Sequence, residues 1–198
     1  MRIALATVDN LPDVGKLADE ATAWLATKGT DQWQSAWPDE TARDTRVRQG
    51  LGRGETWIVW DGDIPAATVS ITTSHDPAVW SEPACTCRLS EPAVYVHRLI
   101  TAKDYKKRGL GAELINWAGL RASRDYGARW IRIDVWTTNT ALHEYYLETG
   151  FEPCGFCPDP DYPSGALFQK PIAGIVSPAA PQFTESPGQP ALRAAGDP

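Results

Sequence analysis

No stretch of this sequence is apolar for long enough to cross a bilayer. The opening segment MRIALATVDNLPDVGKL meets acids soon after a short apolar run, so neither a membrane span nor a secretory leader is expected. Positive charge is also in short supply: 19 Lys and Arg face 25 Asp and Glu, a formal net charge of -6. Such a chain lacks the cationic field that draws nucleic acid or anionic lipid, so neither is an expected partner, whereas a cationic small molecule suits it. Cysteine is scarce, with four residues spaced as Cys85-x-Cys87 and Cys154-x-x-Cys157. The two pairs lie too far apart for the usual zinc ribbon, and the first is too tight for a common zinc knuckle. Reduced structural thiols, no metal and a cytoplasmic location are the expectation. Internal repeats are absent as well.

What the chain does have is core-building material. With 42% hydrophobic residues and nine Trp among 198 residues, residues 1–173 can fill one compact domain. A β-prone start at 2–8 is followed by a helix, with Asn10 as N-cap, Pro12 in its first turn, and Val14, Leu17, Ala18, Ala21, Trp24 and Leu25 at helical spacing. After the Gly29 and Pro38 region a second helix is expected from Asp39 to about Leu51. Strands at 56–60 and 66–73 are joined by DGDIP, a hairpin signal. Residues 74–92 carry three prolines and read as a long surface loop. AVYVHRLIT (93–101) and RWIRIDVWT (129–137) are β-prone, the latter with Ile131, Ile133 and Val135 on one face. Between them lies a helix whose Leu110, Leu114, Trp117 and Ala118 form an apolar stripe, which predicts parallel strands with a right-handed crossover. A helix over 139–149 stops at Gly150, and two closing strands follow. From 174 to 198, five prolines in 25 residues predict a disordered tail rich in Pro and Ala.

The segment YKKRGLGAELINWA places Lys106, Lys107 and Arg108 around Gly109 and Gly111 just where a strand gives way to a helix. Unpaired first-turn amides, the helix dipole and a glycine floor together suit a phosphate group. The same features would also serve tight helix packing with a solvated basic face that includes Lys103. The segment is neither a Walker loop nor a full dinucleotide fingerprint.

The run VHRLITAKDYKKRGLGAELINWA, followed by IRIDVWTTNTALHEYYLETGFE, resembles the GNAT superfamily of acyl-CoA-dependent N-acyltransferases. Lys106, Lys107, Arg108, Gly109, Leu110 and Gly111 match its Gln/Arg-x-x-Gly-x-Gly/Ala motif, with Lys at the first position. Asn139, Tyr146, Gly150 and Phe151 match its second half. The resemblance is clear over residues 93–152, and the β-α-α-β-β order before it agrees. It implies a mixed α/β (α+β) fold: a mostly antiparallel central sheet of six to seven strands, about four flanking helices and one parallel βαβ crossover. It also implies acetyl-CoA as acyl donor and direct attack by a primary amine.

On that reading Lys106, Lys107, Arg108, Gly109, Leu110, Gly111 and Ala112 cradle the pyrophosphate, while the backbone of Leu99, Ile100 and Thr101 pairs with the pantetheine arm. Asn139 touches the cofactor side or serves as a helix N-cap. His97 is the candidate base, its ordinary pKa of about 6.5 suiting proton transfer near neutrality, with Glu91 in reserve. His75 and His143 read as loop and helix-surface residues. Tyr146 would protonate the departing thiolate, although an aromatic beside Tyr145 also suits a core. Trp33 and Trp37 with Asp31 could hold a cationic acceptor, or could be packing tryptophans beside a solvated acid. A peptide amine as acceptor and a non-catalytic acyl-CoA sensor are the competing readings, and a homodimer is compatible with either.

Overall fold

The computed structural model describes residues 1–36, 38–82 and 85–192. Among the described residues, eight strands and four α-helices follow in the order β1 (Arg2–Leu5), α1 (Leu11–Ala26), α2 (Glu40–Gly52), β2 (Thr56–Asp61), β3 (Ile64–Thr72), β4 (Ala93–Thr101), α3 (Leu110–Tyr126), β5 (Trp130–Val135), α4 (Thr140–Glu148), β6 (Glu152–Phe156), β7 (Ala166–Pro171) and β8 (Thr184–Glu185). The strands follow the order β6-β7-β5-β4-β3-β2-β1-β8. Most pairings are antiparallel; β4 with β5 and β1 with β8 are parallel. The sheet is therefore the mixed one expected, with one strand more than the six to seven anticipated. No helix among the described residues is long and apolar enough to cross a membrane.

Two units emerge. The first comprises Met1–Ser70, Arg98–Leu114 and Pro178–Pro190. Its helix α1 buries Val14, Leu17, Ala21 and Leu25, the stripe that the sequence spacing predicts. Asn10 precedes α1, yet its side chain does not cap it; its Oδ1 accepts from the Thr7 amide at 3.0 Å. Asp39 does cap α2, accepting from the Ala42 amide at 2.8 Å. Strands β2 and β3 are buried over most of their length; the buried hydroxyls of Thr56 and Ser70 meet at 3.0 Å, and that of Thr68 donates to the Trp57 carbonyl at 2.9 Å.

The stretch expected to be disordered supplies β8. Phe183 is 5% exposed, the Thr184 and Ser186 amides donate to the Met1 and Ile3 carbonyls, and the Leu5 amide donates to Gln189. One apolar anchor is enough here because the β1 edge offers backbone groups that need partners.

The second unit comprises Ile71–His97, Ile115–Ser177 and Ala191–Pro198. Strand β4 pairs with β5 from Ala93↔Trp130 to Val96↔Ile133, and β5 pairs with β7. Gly119 of α3 is required by close approach: a Cβ there would stand 2.5 Å from Ile131 Cδ1. Arg132 is fully buried, its guanidinium donating to the Tyr95 hydroxyl at 2.9 Å and the Arg88 carbonyl at 2.7 Å.

The cysteines correct the expectation of reduced thiols. Cys85 and Cys87 form a disulfide, while buried Cys154 and half-buried Cys157 are free. The bend in the 74–92 loop brings the Cα atoms of Cys85 and Cys87 to 5.2 Å, within disulfide range.

Candidate active site

Within the first unit, β4 ends in a hydrogen bond from the Ala102 amide to the Ala66 carbonyl at 2.9 Å. Ile100 and Ala102 pack with Leu17 and Ala21, which turns the Ile100 side chain into the core and leaves Leu99 and Thr101 half-buried. The register of β4 with β5 stops at Val96↔Ile133, before Leu99 is reached. Arg98, just past that point, has φ 47°, a left-handed conformation costly for a long side chain. A single turn of 3-10 helix (Lys103–Tyr105) follows, and Tyr105 donates to Asp61 at 2.8 Å.

The glycine turn is built from two left-handed residues, Lys107 at φ 61° and Gly109 at φ 75°. A glycine at 109 removes one of two such penalties. Lys107, Arg108 and Gly109 are exposed, and Leu110 is buried and anchors the start of α3. The Glu113 amide donates to the Gly109 carbonyl at 3.0 Å, so the amides of Leu110, Gly111 and Ala112 come before the helical ladder begins. Those donors and the positive end of the helix dipole fit a phosphate.

Lys106 sits apart from this set. Its ammonium lies 3.2 Å from the centroid of the Trp24 ring, and burial, then the nearby Lys28, lower its pKa. Gln182 lies beside the turn, donating from its amide and side chain to Glu113 and from its side chain to the Arg108 carbonyl at 3.1 Å.

Within the second unit, His97 Nδ1 lies 3.3 Å from Asp134 Oδ1, and Asp134 Oδ2 accepts from the Tyr162 hydroxyl at 2.7 Å. His97 keeps 31% of its side chain in solvent, against 9% for Asp134. Burial alone would raise the Asp134 carboxyl, but the hydrogen bond and charge of His97 and the Tyr162 hydroxyl outweigh it and hold the group below the usual carboxylate range. His97 Nε2 stands 3.5 Å from the Thr72 hydroxyl, whose one proton goes to the Ser74 carbonyl at 2.8 Å. With Nδ1–H donated to Asp134, the Nε2 lone pair is left available to take a proton.

Tyr146 on α4 is 4% exposed and meets Tyr145 and Phe151 edge-on at 5.3 and 5.2 Å between ring centroids. Burial, with smaller contributions from Tyr145 and Asp134, pushes its phenol well above the ordinary value. The hydroxyl therefore stays protonated at neutral pH.

The other sequence-selected residues take varied positions. Glu91 accepts from the Trp130 indole and faces Arg129 and Arg88 at 3.6 and 3.7 Å, partners that keep it ionised and engaged at the opposite end of β4 from Thr101. Asn139 caps α4, accepting from the Leu142 amide at 3.1 Å. Trp33 packs against the cluster of Leu17, Ala21, Ile100 and Ala102, and Asp31 is exposed. Trp37 lies outside the described residues. His75 meets the Tyr95 hydroxyl at 3.1 Å, and His143 the Trp136 carbonyl at 2.9 Å. Sequence reasoning missed Asp134, Thr72 and Tyr162. The one available signal was an acid alternating with Ile131, Ile133 and Val135 inside a strand.

Residues 19–151 match the family model described as "Acetyltransferase (GNAT) family". An uncharacterized N-acetyltransferase of Bacillus subtilis (strain 168), YesJ, is 25% identical over 167 residues, covering 84% of this chain and 88% of that protein. A GNAT-family acetyltransferase of Streptococcus agalactiae superposes with a TM-score of 0.64 at 19% identity, covering 86% of this chain and 94% of its own. The PaiA N-acetyltransferase of Thermoplasma acidophilum, crystallised with coenzyme A, gives 0.62 at 15% identity, covering 86% and 98%.

Proposed function

Because the chain belongs to the acetyltransferase (GNAT) family, and is therefore an acyltransferase, we propose that it moves an acetyl group from acetyl-CoA to a primary amine of a small cationic molecule by direct attack. The His97–Asp134 pair carries this reading: it is a partly exposed imidazole with one nitrogen facing a buried carboxylate and the other 3.5 Å from the Thr72 hydroxyl. Acetyl-CoA supplies an activated thioester. The solved coenzyme A complex of the Thermoplasma relative supports the same ligand class here.

The amides of Leu110, Gly111 and Ala112, with Lys107 and Arg108 beside them, bind the diphosphate. The backbone of Leu99, Ile100 and Thr101, beyond the last β5 partner, is available to an extended ligand arm. His97 Nε2 accepts a proton from the acceptor ammonium, of which only about one part in a thousand is neutral at pH 7 for a pKa near 10.4. Asp134 acts as a positioning residue, fixing the tautomer and stabilising the imidazolium once it forms. Tyr146 holds its proton until the leaving sulfur needs one. The chain's net charge of -6 suits a cationic acceptor, with Asp31 and Trp33 as candidate contacts.

Mass spectrometry of a pooled amine panel incubated with acetyl-CoA tests the reading. Acetylated cationic amines, lost in His97→Ala, are expected. A panel left untouched by a protein that still binds coenzyme A would favour an acyl-CoA sensor, and products confined to peptide amines would move the acceptor to that class.

A further inference from the structure

All four cysteines gather in one apolar cluster of the second unit, with Val79, Trp80, Tyr95 and Leu167 around them. The sulfurs of Cys85, Cys87 and Cys154 lie within 4.8 Å of one another. A disulfide uses only two, and nothing in the acyl-transfer chemistry uses the third.

We propose that Cys85, Cys87, Cys154 and Cys157 form a site for a thiophilic divalent metal ion of the zinc class, which fills when the Cys85–Cys87 disulfide is reduced. A tetrahedral zinc–thiolate centre, with bonds of about 2.3 Å, sets its sulfurs roughly 3.8 Å apart; Cys154 already lies within 4.8 Å of both disulfide sulfurs. Opening the disulfide lets Cys85 and Cys87 separate to that distance.

The backbone around them is already fixed. Cys85 bridges to Gly155, and Thr86 donates to the Cys154 carbonyl from its amide at 2.7 Å and its hydroxyl at 3.2 Å. The Cys87 amide donates to the Cys85 sulfur at 3.2 Å, a contact that favours a thiolate. Cys154-x-x-Cys157 has ordinary chelating spacing. Cys157 packs against the same cluster but stands outside the group of three sulfurs, with its own sulfur 3.6 Å from the Ala78 carbonyl, so it has to rotate away from that oxygen to serve as the fourth ligand.

The electron and proton balance is simple. A dithiol reductant gives two electrons and two protons to the disulfide and becomes a disulfide itself; the metal ion then displaces four thiol protons to solvent.

The site runs against the expectation from spacing alone. The full-length chain, reduced with a non-chelating phosphine and titrated anaerobically with Co2+, tests it. The expected result is one cobalt per chain, with sulfur-to-cobalt charge-transfer absorption and the intense visible bands of a tetrahedral site, bleached by Zn2+. Unreduced protein should show neither feature. Cys157→Ser should keep the metal with weakened, shifted bands, and Cys154→Ala should lose it. Reduced wild-type protein that takes up no cobalt would overturn the proposal without recourse to any variant. So would an identical spectrum in unreduced protein, which would mark an adventitious ion.

Discussion

Replacing Asp134 by Asn keeps the shape of the side chain facing His97 and removes its charge. At an effective dielectric of about 20, unit charges separated by the observed 3.3 Å attract by about 5 kcal/mol. His97 keeps 31% of its side chain in solvent, and screening there reduces the net worth to roughly 2–3 kcal/mol. The imidazole gains that stabilisation only after it has taken the acceptor's proton, so its loss falls on the transition state. The expected cost is roughly 30- to 150-fold in kcat/KM, with coenzyme A affinity unchanged. Initial rates of thiol release from acetyl-CoA, measured for Asp134→Asn against wild type with an accepted amine, supply the test. Tyr162→Phe is the companion variant: it removes one donor to the carboxylate at 2.7 Å and leaves the charge, so its loss should be much smaller. An Asp134→Asn enzyme within about twofold of wild type would refute the proton-transfer role of the pair.

Three further outcomes follow from the same geometry. The depressed Asp134 carboxyl contributes stability that is present above the unfolded-state pKa of about 3.9 and is lost as pH falls through its lower folded value, so thermal melts should show Asp134→Asn losing less stability on acidification than wild type. Tyr146→Phe should lower kcat by at least tenfold while calorimetric coenzyme A affinity holds; unchanged turnover would return Tyr146 to a purely packing role. Gly119→Ala drives a methyl to 2.5 Å from Ile131 Cδ1 and should cost about 1–3 kcal/mol in denaturant unfolding, a figure that an unchanged midpoint would contradict.

The parts of the fold legible in the sequence were those set by local chemistry. The glycine turn before α3, the helical spacing of Leu110 and Leu114, and the start of the second helix near Asp39 were each readable from a few neighbours. Tyr146 was selected by its fixed offset from Gly150 and Phe151, and its burial against Phe151 also suits the packing role that the sequence left open. What stayed hidden depends on residues distant in sequence. Asp134 acquires its role because β4 and β5 pair in parallel register, and no spacing rule links residues 97 and 134. Lys106 reads as one more cradle cation until Trp24, some eighty residues earlier, takes its ammonium. The cysteine pairs look unrelated until the 74–92 loop folds back onto β6. Strand β8 was illegible because its surroundings are rich in proline and its partner edge belongs to the first strand of the chain.

Calorimetric titration with coenzyme A, set beside pantetheine, which shares the thiol arm and lacks the diphosphate, bears most directly on the claim that the amides opening α3 grip a diphosphate. The account predicts saturable binding of coenzyme A, weakened by added salt, with pantetheine at least a hundredfold weaker. Equal affinity for the two, or no heat with either, would contradict it.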